Sequence, residues 1–160
     1  MASLEDLPLA MRLFMKAYPY RKAEWKVPAL LKRPLPQSKL ALVTTAALHL
    51  PDQTPFDEKR KGGDGSFREI PDDTPVQTLR IAHRSKAFDH AGLEADRNLA
   101  LPLDRLHELR DAGKIGAVNH RHLSFAGGIT APGRLIRESA PQAAALFRED
   151  GVEAVLLVPV

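Results

Sequence analysis

The chain has 160 residues, 44% of them hydrophobic and 27% charged, a formal net charge of +3 and no cysteine. That is enough apolar material for one packed domain and too much for a disordered chain, and it leaves no disulfide, thiolate metal site or thiol nucleophile among the residues given. No apolar run approaches the roughly 20 residues of a membrane-spanning helix, and Glu5 and Asp6 stand where a secretory leader would be basic, so a soluble, cytoplasmic protein is expected.

The first element is a helix from about Leu7 to Tyr18, with Asp6 as its cap, Pro8 in its first turn, and Leu7, Met11, Phe14, Met15 and Tyr18 on one apolar stripe. Pro19 ends it. From Lys16 to Lys39 there are seven basic residues against the single acid Glu24, interleaved with Tyr18, Tyr20 and Trp25. Such a segment is either a solvated connection whose aromatics dock on the domain or a surface for nucleic acid or another anionic partner. Residues 1–38 are therefore read as a helix with a basic connecting segment, and 39–160 as the domain proper.

Lys39 to Thr45 is short, apolar and β-branched, and reads as the first central strand. Leu50 to Pro75 has four prolines, a Gly62-Gly63-Asp64-Gly65 cluster and no sustained period, which predicts a long functional loop. Val76 to His83 alternates as a strand would. Pro102 to Ala112 reads as a helix turning Leu103, Leu106 and Leu109 to a core, with Gly113 closing it. Ile115 to Val118 is a candidate short strand, and His120 to Pro132 a loop.

A helical region starts near Gly133 and should break at Pro141, followed by a helix to Glu149 that buries Ala144, Leu146 and Phe147. After Gly151, the run Glu153 to Val160 has the character of a strand buried on both faces of a parallel sheet. Strands alternating with helices predict an α/β domain in three layers, a mostly parallel Rossmann-like sheet with helices on both faces, complete or incomplete at its C-terminus. Ligands of such sheets gather beyond the carboxyl ends of the strands, here beyond Thr45 and Val160.

Several stretches taken in order resemble the glycine/sarcosine/betaine/D-proline reductase component B family: Thr44 to Leu50, Pro55-Phe-Asp57, Gly63 to Pro71, Ile81-Ala-His83 through Asp89, Asp96-Arg-Asn98, Leu101 to Leu106 and Gly151 to Pro159. The most specific is Gly-Asp-x-Ser-Phe-Arg-Glu-Ile-Pro, and the size resembles the short D-proline-type members. One departure is Ala46-Ala47, where relatives often carry glycine.

The resemblance implies a selenocysteine or cysteine on a loop immediately or soon after Val160; a reading frame called without recoding the selenocysteine codon would stop at such a place. It also implies reductive C–N cleavage of a small amino acid or amine of the glycine, sarcosine, betaine or D-proline type. A selenolate or thiolate would attack the carbon alpha to a carboxylate. The chain supplies no cofactor of its own; a pyruvoyl group on a partner subunit would activate the nitrogen as a leaving group. A homo-oligomer is a further expectation, and the alternative is a non-catalytic module for a small molecule, an anionic partner or nucleic acid.

For that chemistry His49 and His83, at or just past strand ends, are the proton donors to test, with Asp89 to orient one of them. Thr45, Arg68, Asp96 and Asn98 are the expected substrate contacts, Arg68 as a bidentate carboxylate clamp or else as a pin for the long loop. All seven should converge near Val160. Each has a bland alternative, since histidines are often structural and loop Asp and Asn commonly bond their own backbone. His120 and His122 lack paired metal-ligand spacing, so no metal site is expected, and Gly127-Gly128 lacks the spacing of a phosphate loop.

Overall fold

A computed structural model describes residues 5, 8–19, 29–83 and 90–160. Asp89 lies outside these residues, as do the Asp6 cap, Leu7, and Tyr20, Arg21, Lys22, Trp25 and Lys26 of the basic segment. The chain divides into two units, Met1–Leu30 and Leu31–Val160. In the first, helix α1 spans Leu9–Ala17; Pro8 is extended (φ −52, ψ 146) and contributes only its carbonyl, which accepts from the Arg12 N–H at 3.0 Å. Proline presets φ but its ψ is free, and the helix starts at Leu9, two residues later than expected. None of its residues is buried.

The second unit is mixed α/β. Its elements are β1 (Lys39–Thr44), β2 (Leu48–His49), β3 (Phe67–Pro71), β4 (Arg80–Ile81), α2 (His90–Ala95), α3 (Leu103–Asp111), β5 (Ala117–Val118), β6 (Arg121–Phe125), α4 (Ala140–Glu149) and β7 (Ala154–Val158). Five strands make one mostly parallel sheet in the order β3-β6-β1-β5, with β7 also on β1. Along β1, successive side chains go to opposite faces. Leu40 and Leu42 join Leu103 and Leu106 of α3 in one core, and Ala41 and Val43 join Ala143 and Phe147 of α4 in another.

β5 and β6 lie along one edge of β1 as a single interrupted strand. Four steps on β1, Lys39 to Val43, match six on its partner, Ala117 to Leu123, so two extra residues bulge out. The bulge leaves the Leu42 N–H facing no ladder carbonyl; it donates instead to Nδ1 of His122 at 3.0 Å. Asn119 N–H donates to the Leu40 carbonyl at 2.8 Å.

Several expectations are corrected. The 50–75 stretch is not structureless, because Phe67–Pro71 pairs antiparallel with β6; as an outer strand it buries only Ile70 fully, so it carries no apolar period. The expected loop 120–132 contains β6, a strand hidden by polar residues at fully buried positions, His122 and Ser124. Val76 to His83 yields only a 3₁₀ turn and the two-residue β4, which pairs antiparallel with β2 off the main sheet. Leu109 is exposed.

Pro141 does not break its helix. Residues Leu135–Ser139 take π geometry, the Ala140 N–H reaches back to the Leu135 carbonyl, and Pro141 falls in the first turn of α4, where a missing N–H costs nothing. α4 buries Ala143 and Phe147, one helical turn apart; Ala144 is exposed and Leu146 half-buried. β7 is parallel to β1 over its whole length, as expected, yet Val155, Leu156 and Leu157 are exposed, because among the described residues β1 is its one strand neighbour.

The amino ends of these strands are tied down tightly. Gly116 donates its N–H to the carbonyls of Leu35 and Ser38 and runs so close to the entry of β1 that a Cβ there would lie 2.8 Å from the Gln37 carbonyl carbon and the Ser38 nitrogen. Those are backbone atoms and cannot swing aside. Gly116→Ala is therefore expected to cost about 2 kcal/mol through forced backbone displacement, read as a lower urea midpoint at unchanged m-value.

Candidate active site at the carboxyl ends of the strands

β1, β6 and β7 run parallel, so their carboxyl ends lie together. The Thr45 N–H donates to the Val158 carbonyl at 3.2 Å. The Thr45 hydroxyl holds the exit of β7 from both sides: Oγ1 accepts the Val160 N–H at 2.9 Å and donates to the Val160 carbonyl at 3.3 Å. The chain then folds over the sheet end through Ala46, bridged to Ala126, and Ala47, whose N–H donates to the Phe125 carbonyl at 2.9 Å. Ala47 sits at φ 54, in the left-handed region that costs a residue with a Cβ roughly 1–2 kcal/mol. Glycine would adopt it freely, which fits the resemblance noted at this position.

His83 is delivered by the β2–β4 ribbon. Leu48 pairs with Ile81 and His49 with Arg80, and the Ala82 N–H donates to the Ala47 carbonyl at 3.0 Å. Its ring is seated over Gly127. A Cβ built on Gly127 would lie 2.8 Å from His83 Nε2, 3.1 Å from the Thr45 carbonyl oxygen and 3.4 Å from the Val160 carbonyl oxygen, so these three atoms surround one point. A cleft of about 20 Å³, room for one water-sized group, opens beside them between Phe56, Asp57, Asp64, His83 and Gly127.

The long loop forms the outer wall of the cleft. Asp64 accepts from the Asp57 N–H at 3.0 Å, the Ser66 N–H at 2.9 Å and the Ser66 hydroxyl at 2.7 Å. Burial works against its charged form, but these bonds outweigh it and hold the carboxyl below its ordinary range. Gly62 and Gly63, at φ 86 and 94, pack against Ala131 and Ile129 so closely that added Cβ atoms would lie 2.5 Å from the Ala131 Cβ and 2.9 Å from the Ile129 Cα. The glycine cluster thus joins two loops.

Arg68 is occupied as a pin. Its guanidinium donates to the carbonyls of Thr54 (2.7 Å), Pro55 (3.1 Å) and Phe67 (2.9 Å) and to the Ser66 hydroxyl (2.9 Å), and lies 4.3 Å from the centre of the Phe56 ring. It touches the cleft through Phe56. His49 is buried, with Nδ1 2.8 Å from the Leu50 carbonyl oxygen. Asp96 caps a 3₁₀ turn by accepting from the Asn98 N–H at 2.9 Å, and Asn98 bridges to Asp104 at the start of α3. Thr45 and His83 therefore meet at Val160, while Arg68, His49, Asp96 and Asn98 make contacts that support the surrounding fold.

Two anchoring residues escaped sequence reasoning. Arg97, buried between Asp96 and Asn98, donates to the carbonyls of Leu93 and Leu79 and pairs with Glu94; the signal was a basic residue inside a run of cap formers. Gly127 lies two residues beyond the end of β6, a strand that itself went unread. Among the described residues no group of three His, Asp or Glu side chains is placed to hold a metal ion, and no helix is long and apolar enough to cross a membrane.

Comparison with known proteins identifies the lineage. Residues 11–160 match the family model described as Glycine/sarcosine/betaine reductase selenoprotein B (GRDB). The chain is similar to the D-proline reductase subunit gamma of Acetoanaerobium sticklandii, 33% identical over 118 residues that cover 74% of this chain and 47% of that protein. It thus spans about half the length of the curated relative it matches. No solved structure matches it. The ordered motifs and the family match agree, and the chain belongs to the glycine/sarcosine/betaine reductase selenoprotein B family.

Proposed function

We propose that this chain carries the substrate-cleaving site of a reductase component that opens a C–N bond in a small amino acid or amine, built on a three-layer Rossmann-like core with α3 on one face of the sheet and α4 on the other. The observation that carries the reading is the meeting of Thr45, His83 and Gly127 at Val160, because the family's selenocysteine or cysteine is expected just beyond that residue. Covalent catalysis needs a proton donor within reach of the leaving group, and His83 is the titratable side chain set against this strand end.

In this reading the selenolate or thiolate forms a bond to the carbon alpha to the carboxylate, and the electron pair of the C–N bond departs on nitrogen. His83 gives that nitrogen its proton. A dithiol reductant then attacks the selenium or sulfur, the carbon leaves carrying a proton, and the second thiol closes a disulfide that frees the selenolate or thiolate. A pyruvoyl group on a partner subunit would supply activation of the nitrogen as a leaving group. Thr45 fixes the backbone from which the nucleophile is presented, and Arg68 stiffens the Phe56 wall.

The test is to express the gene with the codon following Val160 read as selenocysteine or cysteine, together with a pyruvoyl-bearing subunit encoded beside it, and to assay reductive cleavage of glycine, sarcosine, betaine and D-proline. Turnover of one of them is expected, with His83→Ala lowering kcat about 100-fold at similar KM. An extended protein that folds, exposes an ordinary thiol and reacts no differently after His83→Ala would overturn the proposal.

A further inference from the structure

We infer that Gly127 is a positioning residue for the proposed site, and that its lack of a side chain is what seats the His83 imidazole against the ends of β1 and β7. The inference rests on the reading of His83 given above.

Glycines in this chain are present for two separable reasons. Gly113, Gly128 and Gly151 have φ of 68, 66 and 71 with nothing within 4 Å of an added Cβ, so backbone conformation alone accounts for them. Gly127 is the opposite case. Its φ is not in the left-handed region, and the place of its Cβ is occupied: His83 Nε2 at 2.8 Å and the carbonyl oxygens of Thr45 and Val160 at 3.1 and 3.4 Å. At the other crowded glycines the neighbour nearest an added Cβ is backbone, an apolar methyl or the flexible end of Arg137. Among these nine glycines, Gly127 is the one at which it is the ring of a titratable side chain.

The ring is the part that would yield. Backbone on both sides is held, Ala126 by its bridge to Ala46 and Ala82 by its N–H to the Ala47 carbonyl. An added methyl would therefore rotate the imidazole away from the strand end. In the seated position Nε2 lies beside the ends of β1 and β7, and it is the atom from which the departing nitrogen would take its proton.

The experiment combines histidine NMR on the chain with a double-mutant cycle, so that it does not depend on turnover. Gly127→Ala is expected to displace the His83 ring resonances, and to lower kcat of the assembled reductase about tenfold with KM unchanged. In a His83→Ala background the same substitution should cost much less stability, only what the Thr45 carbonyl at 3.1 Å imposes, and should leave kcat unchanged. If Gly127→Ala alone fails to fold, recovery of folding in Gly127→Ala/His83→Ala supports the seat, and failure of both overturns it. Unchanged His83 resonances, or equal destabilisation with and without His83, would also overturn it. Coupling between the two residues with His83→Ala fully active would keep the seat and remove His83 from the chemistry.

Discussion

Asp150→Ala is expected to lower stability by about 3 kcal/mol and to flatten the acid limb of the stability curve. The carboxylate lies where α4 hands over to β7, with only 4% of its side chain exposed, and it accepts from Arg121 twice, at 2.6 and 2.7 Å, and from Asn119 at 2.9 Å. Those hydrogen bonds from Arg121, opposed by burial and joined by Asn119, hold the Asp150 carboxyl far below the carboxylate range, and the reciprocal bonds raise the guanidinium. Removing the acid leaves a largely buried arginine with Glu69 alone, at 3.2 Å, and an uncompensated buried charge costs far more than a lost surface pair. The sign follows from the unfolded chain binding more protons: the contribution is full above the ordinary aspartate value near 4 and is lost as pH falls through the depressed folded value. Urea melts between about pH 5 and 2 should show wild type losing stability faster than Asp150→Asn. Parallel slopes would show that the pair contributes nothing.

The same network explains why the sheet has one closed end and one open end. Arg33 pairs with Glu153 at 2.6 Å, Glu153 accepts the Lys39 N–H at 3.2 Å, and the Lys39 ammonium donates to the Asp150 carbonyl at 2.7 Å. Charged and polar groups are consumed at the amino ends of β1, β6 and β7. At the carboxyl ends backbone bonds predominate, and the Thr45 hydroxyl and the His83 ring meet over Gly127 beside a small cleft.

β1 and β7 were legible because apolar and β-branched residues crowd both faces of each run, and their parallel pairing followed from that. β6, the strand between β1 and β3, was not legible, since its polar residues are satisfied by partners far away in sequence: His122 answers a backbone N–H of β1 and an aspartate after β3. β3 was missed for the opposite reason, being an outer strand with arginine and glutamate where a core strand has valine. An apolar run also reports what a strand prefers and not what covers it, hence the exposed Val155, Leu156 and Leu157. For the site, the sequence offered seven polar residues from distant segments. Arg68, Asp96 and Asn98 differ from Thr45 and His83 only in which carbonyls and amides lie within reach, and that is decided by loop geometry.

His122→Leu should cost about 2–3 kcal/mol and remove a pH dependence that wild type shows between roughly pH 7 and 5. The ring is fully buried and makes two different bonds: Nδ1 accepts the Leu42 N–H at 3.0 Å, which places the neutral tautomer's proton on Nε2, and Nε2 donates to Asp72 at 3.2 Å. Burial lowers its tendency to ionise; Asp72 opposes this, while His107, itself 2.7 Å from Asp72, and His120 add to it. A protonated Nδ1 would turn an N–H toward the Leu42 N–H and cancel a bond that holds β6 to β1. The unfolded chain therefore binds the proton that the folded one refuses, and stability is full above the ordinary histidine value near 6.5 and declines as pH drops toward the lowered one. Leucine fills the space yet leaves the Leu42 amide buried with no acceptor, a desolvation cost of about 1–3 kcal/mol. Denaturant midpoints across this window, for wild type, His122→Leu and His107→Leu, separate the contributions: the decline should vanish in the first variant and persist in the second. A decline that survives His122→Leu would assign the pH dependence to another group and leave the ring as packing alone.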